Sequence, residues 1–145
     1  PHMVAIMTDL LELSGNERVL EIGTGCGYHA AVTAEVVGGE NVFSVEYQDA
    51  LAQDARETLD STGYSAISIR SGDGREGWDA HAPYDRVYLT CAASDFPEPL
   101  VEQLCTPGIL LGPVGDRRQV LTKIEKAATG IERTEHGQVR FVPLK

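Results

Sequence analysis

Cysteine is scarce in this sequence. The three cysteines, Cys26, Cys91 and Cys105, lie far apart, and no two of them form a CxxC pair. Zinc sites and thioredoxin-type redox motifs depend on closely spaced pairs, so the sequence indicates no metal site and no redox centre of this kind. An odd, scattered set also indicates no disulfide framework, and we therefore expect a protein of the reducing cytoplasm.

Positive charge is scarce as well. The 12 Lys and Arg residues are outnumbered by 22 Asp and Glu residues, which gives a formal net charge of −10. Nucleic-acid binding depends on cations that neutralise phosphates, and anionic membrane surfaces attract polybasic segments. The sequence therefore predicts neither a nucleic-acid partner nor a membrane partner.

Long apolar runs are missing. No stretch approaches the ~20 apolar residues that cross a bilayer, and no signal-peptide pattern opens the sequence. What is present is a mixed composition, 42% apolar over 145 residues, which suits one folded domain around a single core. We expect residues 1–145 to form that domain and the protein to be a monomer.

Short apolar strands alternate with amphipathic helices along the sequence. Apolar residues spaced three and four apart predict helices, and short apolar runs bounded by glycine predict strands. This alternation is typical of an α/β fold with a mostly parallel, twisted sheet and helices on both faces. An antiparallel strand pair is predicted at the C-terminal end, around a turn region at 127–137. The predicted helices are 2–13, 28–37, 51–63 and 97–104, and the predicted strands are 19–22, 42–46, 67–69, 85–90, 109–111, 119–125 and 138–142.

A glycine-rich loop follows the first predicted strand and reads Glu21-Ile22-Gly23-Thr24-Gly25-Cys26-Gly27. Glycine allows positive φ and lets a ligand approach the backbone closely. Glu46 ends the next strand, 23 residues after Gly23, a spacing at which an acid holds a ribose diol. Asp73, in a Gly-Asp-Gly turn after the third strand, is a candidate acceptor for the adenine amine. Because these three strand ends share one edge of the sheet, they describe an adenosine-binding crevice.

The spacing of the glycines separates the candidate cofactors. A dinucleotide fingerprint reads GxGxxG, whereas this loop reads ExGxGxG, and no GK[ST] follows it as a P-loop requires. The acid before the loop, Glu21, is the mark of S-adenosylmethionine-dependent methyltransferases. Tyr47, directly after Glu46, supplies a ring that can lie against adenine. The sequence therefore favours S-adenosyl-L-methionine over NAD.

Longer stretches of the chain resemble the protein-L-isoaspartate O-methyltransferase family. The glycine loop alone fits any class I methyltransferase, but Gly72-Asp73-Gly74-Arg75, Ala82-Pro83-Tyr84-Asp85 and the terminal segment 139–144 are much more specific. The resemblance implies a Rossmann-like class I methyltransferase fold and carboxyl O-methylation of L-isoaspartyl residues in damaged proteins. The matching stretches are 1–5, 19–28, 72–77, 82–87, 100–104, 112–115 and 139–144.

The resemblance also implies roles for individual residues. Gly23, Gly25 and Cys26 are expected at the methionine end of the cofactor, and Glu46 at its ribose hydroxyl groups. The full set of implied cofactor-binding residues is Val4, Glu21, Gly23, Thr24, Gly25, Cys26, Glu46, Tyr47, Gly72 and Asp73.

Substrate contacts are implied at both ends of the chain. The segment 139–144 resembles the strand that pairs with the substrate peptide, which is a form of strand addition. His2 is a candidate catalytic residue that orients the substrate carboxylate, or else a solvent-facing histidine at a helix start. Arg140 either attracts an acidic peptide or lies on a solvated face. The implied substrate-binding residues are Val139, Arg140, Phe141 and Val142.

The sequence departs from the family pattern before Pro-His-Met. In the family a Thr-Ile-Ser-Ala segment and a helical region precede that tripeptide, whereas this sequence begins at Pro1. We therefore expect a chain that lacks the family's N-terminal region. In addition, Cys26 stands where Ser is usual, and Lys145 stands where Thr often follows the final Pro-Leu.

The expected chemistry needs no strong base. Transfer of a methyl group from a sulfonium to a carboxylate uses a nucleophile whose pKa of about 4 leaves it ionised at neutral pH. Alignment and exclusion of water are then the protein's contribution. Two alternatives stay open at this point. One is an O-methyltransferase for an aspartate of a dedicated peptide, and the other is a cofactor-binding core without turnover.

Overall fold

The computed structural model describes residues 2–145, which form one seven-stranded sheet flanked by four α-helices. None of these helices is long and apolar enough to cross a membrane. Single turns of 3-10 helix occur at Gly39–Asn41, Gly74–Glu76 and Asp79–His81. Helices α1 to α4 are His2–Leu10, Tyr28–Val37, Asp49–Ser61 and Glu98–Glu102. Strands β1 to β7 are Val19–Ile22, Val42–Glu46, Ser68–Ser71, Tyr84–Leu89, Leu104–Val114, Gln119–Ala127 and Gly130–Val139.

The strands are ordered β3-β2-β1-β4-β5-β6-β7 across the sheet. The first five are parallel, and β6 and β7 are added antiparallel. Strand β1 lies between β2 and β4, with Val19 opposite both Val42 and Arg86. All four residues of β1 are buried, as expected where helices cover both faces of a parallel sheet. The predicted α/β architecture with an antiparallel C-terminal pair is confirmed.

The core consists of two apolar layers, one on each face of the sheet. Successive side chains of a strand point to opposite faces, so β1 contributes to both layers. Val19 packs in one layer with residues of α1, α2 and α3, while Leu20 and Ile22 pack in the other with Leu100 of α4. Glu21 lies two residues after Val19 in the strand, so its side chain points to the same face, into the layer that contains α1, α2 and α3.

Helix α1 is shorter than the predicted 2–13 and ends at Leu10. Glu12, just beyond the helix, has a φ of 51°. Arg86 of β4 donates to the Leu11 and Glu12 carbonyls, and Lys123 of β6 forms an ion pair with the Glu12 carboxylate. Carbonyls at a helix C-terminus lack intrahelical partners, so cations from the neighbouring strands end α1 earlier than its apolar spacing suggests.

The C-terminal hairpin differs most from the prediction. Strand β6 contains the predicted strand 119–125 and continues to Ala127. The predicted strand 138–142 and turn region 127–137 are wrong, because β7 begins at Gly130, directly after a two-residue loop at 128–129. Most β7 side chains are exposed, so this edge strand lacks the alternating apolar residues from which a strand is predicted. Strand β7 ends at Val139, and residues 140–142 leave the sheet. The backbone of Pro143 then pairs with Ala92, beyond the end of β4.

Smaller differences concern the ends of five other elements. Helix α3 is Asp49–Ser61 instead of 51–63, and β4 is Tyr84–Leu89 instead of 85–90. Strand β5 runs from Leu104 to Val114 instead of 109–111, and α4 ends at Glu102 because its last residues join that strand. Strand β3 is displaced by one or two residues from the predicted 67–69.

Candidate active site

A cleft of about 210 Å³ lies at the carboxyl edge of the sheet, where β1, β2 and β4 end. The carboxyl edge of an open α/β sheet is where ligands bind in this architecture. Ile22 and Val45 supply apolar surface from the ends of β1 and β2, and Gly74 contributes from the loop after β3. The residues of the C-terminal segment, Val142–Lys145, form a further wall.

The glycine-rich loop presents bare backbone to this cleft. Gly23 has a φ of 99°, and a Cβ there would lie 2.3 Å from the Thr90 hydroxyl oxygen, so no side chain fits. That hydroxyl donates to the Gly23 carbonyl at 2.5 Å and fixes the loop to the end of β4. At Gly25, with a φ of 55°, a Cβ would meet nothing within 4 Å. Gly25 therefore leaves open space that a ligand can occupy.

The Glu46 carboxylate joins the glycine loop to the end of β2. Its Oε1 accepts from the Gly25 N–H at 3.0 Å, and its Oε2 accepts from the Gln48 N–H at 3.0 Å. The side chain lines the cleft although the residue is only 7% exposed. Each carboxylate oxygen has a second lone pair, so the group can still accept hydrogen bonds from two adjacent hydroxyl groups.

These features fit S-adenosylmethionine. An acceptor pair at the end of β2 suits a ribose diol, and the open space at Gly25 lets the cofactor approach the backbone. Tyr47, which is 56% exposed, and Leu51 add apolar surface beside Glu46 for the adenine.

Cys91 faces the cleft with a neutral thiol. Burial raises its pKa to about 12, and the charges of Glu46 and Glu21 act in the same direction. Its Sγ lies 3.8 Å from the Ile22 carbonyl oxygen. Because only a thiolate is a strong nucleophile, Cys91 is chemically inert at neutral pH and acts as a small apolar wall residue.

Glu21 and Thr24 lie beneath the loop rather than on the cleft. The Glu21 carboxyl group, 0% exposed, accepts from the Ser44 hydroxyl at 2.5 Å and from the Tyr88 hydroxyl at 2.7 Å. The Thr24 hydroxyl contacts Ser44 at 2.6 Å. Burial raises the Glu21 pKa to about 7. This buried network supports the loop from below, and the predicted cofactor contacts of Glu21 and Thr24 stay predictions.

His29 is buried next to this network, in contact with Tyr88. Its ring stacks on Tyr88 with the centroids 4.2 Å apart, and its Nε2 has no hydrogen-bond partner within residues 2–145. Burial lowers its pKa to about 4, so the imidazole is neutral.

Gly72 and Asp73 lie beside the cleft. The Gly72 N–H donates to the Glu46 carbonyl at 2.9 Å, which places the turn next to the Glu46 side chain. Asp73 Oδ1 accepts from the Arg75 N–H at 2.9 Å, and the Arg75 guanidinium also donates to the Leu144 carbonyl at 3.2 Å. Asp73 therefore orients an arginine that ties the turn to the C-terminal segment.

The predicted residues separate into two groups. The cleft is lined by Gly23, Gly25, Glu46, Tyr47 and Val142. The others lie outside its lining within the described residues, and their roles stay predictions. This second group is His2, Val4, Glu21, Thr24, Cys26, Gly72, Asp73, Val139, Arg140 and Phe141.

Helix α1 packs its apolar side against the core. Met7 is buried in the core, and Met3, Ile6 and Leu10 pack against the same layer. His2 is exposed at the start of the helix, and Val4 is half-buried.

The C-terminal segment is fixed by side-chain and backbone bonds outside any strand. Gln119 accepts from the Phe141 N–H at 2.7 Å and donates to the Phe141 carbonyl at 3.1 Å. The Ala92 N–H donates to the Val142 carbonyl at 2.8 Å, and the Leu144 N–H donates to the Ala92 carbonyl at 2.8 Å. The Phe141 N–H is therefore already engaged, whereas the Val142 N–H has no partner within residues 2–145.

The sequence analysis missed several cleft residues, namely Gln48, Leu51, Thr90, Pro143 and Leu144. Thr90 had a usable signal, because it directly follows the strand next to β1 and therefore belongs to the carboxyl edge. Pro143 and Leu144 belong to the segment 139–144 that the resemblance placed at the substrate, but no local pattern predicts that they line the cleft.

The fold and the cleft together define a class I methyltransferase. A solved protein-L-isoaspartate O-methyltransferase superposes with a TM-score of 0.91 at 30% identity, over 99% of this chain and 46% of the other. A putative enzyme of the same name from Plasmodium falciparum, solved with S-adenosyl-L-homocysteine, gives a TM-score of 0.84 at 25% identity over 100% of this chain and 74% of its own.

Sequence comparison identifies the family. The profile of the protein-L-isoaspartate(D-aspartate) O-methyltransferase family matches residues 1–145. Protein-L-isoaspartate O-methyltransferase 2 of Archaeoglobus fulgidus is 51% identical over 147 residues, covering 100% of this chain. Protein-L-isoaspartate O-methyltransferase 1 of the same organism is 50% identical over 145 residues. The chain belongs to this family, and it spans 67% of the length of both relatives.

Proposed function

We propose that the chain binds S-adenosyl-L-methionine in the cleft and methylates the free carboxylate of L-isoaspartyl residues in damaged proteins and peptides. The observation that carries this proposal is the hydrogen bond between the Gly25 N–H and the Glu46 carboxylate, which both line one cleft. All 145 residues of the chain match the family. The activity named for the relatives is thereby extended to this chain.

The cofactor is held by backbone and carboxylate groups. Glu46 accepts the two ribose hydroxyl groups, and its two backbone bonds keep the carboxylate oriented for them. Gly25 permits close approach of the methionine part, while Tyr47 and Leu51 cover the adenine. Glu21 and Thr24 support the glycine loop from below through their hydrogen bonds to Ser44.

The bound cofactor supplies an electrophilic methyl group on a sulfonium. The nucleophile is the isoaspartyl carboxylate, which is ionised at neutral pH and needs no base. The protein aligns the reacting atoms and excludes water, which Ile22, Val45 and Leu144 favour by lining the cleft with apolar surface. The protonated Cys91 does not compete as a methyl acceptor.

The substrate peptide is recognised by the C-terminal segment. Val142 is 70% exposed, lines the cleft and carries an unpartnered N–H within the described residues, so it offers one strand-type hydrogen bond beside the reacting carboxylate.

Glu46→Gln tests the cofactor role. The amide has only one acceptor oxygen, so one charge-assisted bond to the diol is lost and the affinity for S-adenosyl-L-homocysteine falls about 10- to 100-fold. Titration calorimetry measures the loss, and Glu57→Gln, at an exposed position of α3, is the matched control with unchanged affinity. Equal affinity for wild type and Glu46→Gln would contradict the assignment.

Methyl transfer is measured with a radioactive methyl donor and two peptides that differ only in an L-isoaspartyl or a normal aspartyl residue. Turnover of the isoaspartyl peptide alone supports the proposal. Methylation of the aspartyl peptide alone would support the dedicated-peptide alternative. Cofactor binding without transfer to either would support a binding core.

We also propose a cytoplasmic monomer without a nucleic-acid partner. The three free cysteines support the reducing cytoplasm, and the net charge of −10 opposes binding to nucleic acid. Light scattering behind size exclusion gives the oligomeric state.

A further inference from the structure

Three arginines that form no ion pair within the described residues lie beside the cleft in this acidic chain. Of the nine arginines, six donate side-chain hydrogen bonds to backbone carbonyl or carboxylate oxygens within residues 2–145. These six are Arg18, Arg56, Arg70, Arg75, Arg86 and Arg133. The other three, Arg117, Arg118 and Arg140, have no such partner in the described chain, and all three line one hollow of about 540 Å³.

The hollow has a positive local charge. Three guanidinium groups face it together with one carboxylate, Asp116, and the remaining lining residues are uncharged. The three arginines are exposed. Arg118 is held in place by a neutral group, since the Gln138 side-chain oxygen accepts from its Nε and Nη2 at 2.6 Å. In a protein of net charge −10, this surface is therefore a local exception that can hold an anion.

The hollow borders the proposed peptide site. Residues 115–118 follow β5 at the carboxyl edge, and the Gly115 N–H donates to the Ala93 carbonyl at 2.9 Å, one residue from the Ala92–Pro143 pairing. Arg140 is two residues before Val142 in the cleft wall. An extended peptide advances about 3.3 Å per residue, so positions two or three residues from the reacting one come within reach of the hollow.

We infer that Arg117, Arg118 and Arg140 form an anion subsite that recognises acidic side chains flanking the isoaspartyl residue of the substrate. The inference rests on the proposed function, and it names a substrate preference of the same site. Guanidinium groups bind carboxylates through paired N–H donors, and none of the three forms an ion pair with a carboxylate of the described residues, although Asp116 lines the same hollow. Recognition is electrostatic, so the preference weakens as salt increases.

The test compares two isoaspartyl peptides of one sequence, with Glu or Gln at the second and third positions on each side of the isoaspartyl residue. At low salt, wild type prefers the Glu peptide in kcat/KM by about tenfold, as three exposed charge contacts allow. The preference falls to about twofold in the Arg117→Gln/Arg118→Gln variant, and also in wild type at about 0.5 M salt. Arg133→Gln, at an exposed arginine in the middle of β7, retains the tenfold preference.

Fluorescence anisotropy with the labelled peptides separates the two proposals. If neither peptide is methylated but the Glu peptide binds about tenfold more tightly in an Arg117- and Arg118-dependent manner, the anion subsite stands and the proposed function fails. If the Gln peptide is methylated and both peptides have equal kcat/KM and equal Kd, the anion subsite is wrong and the proposed function stands. A preference that survives Arg117→Gln/Arg118→Gln also overturns the subsite.

Discussion

Replacing the buried Glu21 changes the pH dependence of stability in a direction that the structure specifies. Burial raises the pKa of Glu21 from an ordinary value of 4.5 to about 7 in the fold, although the Ser44 and Tyr88 hydroxyl groups donate to it. Below pH 4.5 the carboxyl group is protonated in both the folded and the unfolded chain. Between pH 4.5 and about 7 the unfolded chain releases a proton that the folded chain keeps. The free energy of unfolding therefore falls across this window and stays lower above it.

The magnitude follows from the same pKa values. One pKa unit corresponds to 1.36 kcal/mol, so Glu21 lowers the free energy of unfolding by about 3 kcal/mol between pH 4.5 and pH 8. Glu21→Gln has nearly the same shape and does not ionise. Relative to wild type, the variant gains about 3 kcal/mol as pH rises over that range. Urea unfolding at pH 4.5, 6 and 8 measures the difference.

His29 makes the comparison with wild type necessary. Burial lowers its pKa from 6.5 to about 4, so the unfolded chain binds a proton below pH 6.5 that the folded chain does not. Its contribution to stability rises with pH from 4 to 6.5 and opposes that of Glu21. Because His29 is present in both proteins, its contribution drops out when the free energies of unfolding of variant and wild type are subtracted. A difference that stays constant within about 1 kcal/mol from pH 4.5 to 8 would refute the reasoning, and Glu57→Gln is the exposed control.

Two further substitutions test the loop and the end of α1. Gly25→Ala places an alanine at a left-handed φ, so we expect the free energy of unfolding to fall by about 1–2 kcal/mol. The added methyl group also enters the cleft, so we expect weaker cofactor binding, which calorimetry measures. Gly63→Ala, with a φ of 95° and equally open space, has a similar stability cost but unchanged affinity, and equal binding losses would exclude a contact at Gly25. Arg86→Met removes the donors to the Leu11 and Glu12 carbonyls and lowers the free energy of unfolding by about 2 kcal/mol in urea, with faster amide exchange in α1. An unchanged midpoint would show that α1 ends there without Arg86.

The carboxyl-edge geometry was predictable because strand order and strand ends follow simple rules. Gly23, Gly25 and Glu46 each follow from a short apolar strand and the residue type that ends it. Parallel strands bring their carboxyl ends to one edge, so separate sequence positions become neighbours. Glu21 is different, since its place in the motif suggested a ligand contact while strand alternation directs it into the core.

The C-terminal region was not predictable from local patterns. Strand β7 is a polar edge strand that pairs only with β6 within the described residues. Neither of its faces is apolar, so its sequence lacks the usual alternation of apolar and polar residues. The crossing of residues 140–144 depends on Gln119 and Ala92, which are distant in sequence from the segment they hold. Hydrogen bonds between residues this far apart in sequence cannot be predicted from composition or periodicity.

The bonds between Glu46 and the backbone of Gly25 and Gln48 give the glycine loop its binding shape within the protein's own fold. Ordering a loop on binding costs free energy that subtracts from affinity, whereas a preorganised loop has already lost that freedom during folding. The ligand therefore meets a rigid surface, and affinity differences among related ligands report their contacts with it rather than the cost of arranging it.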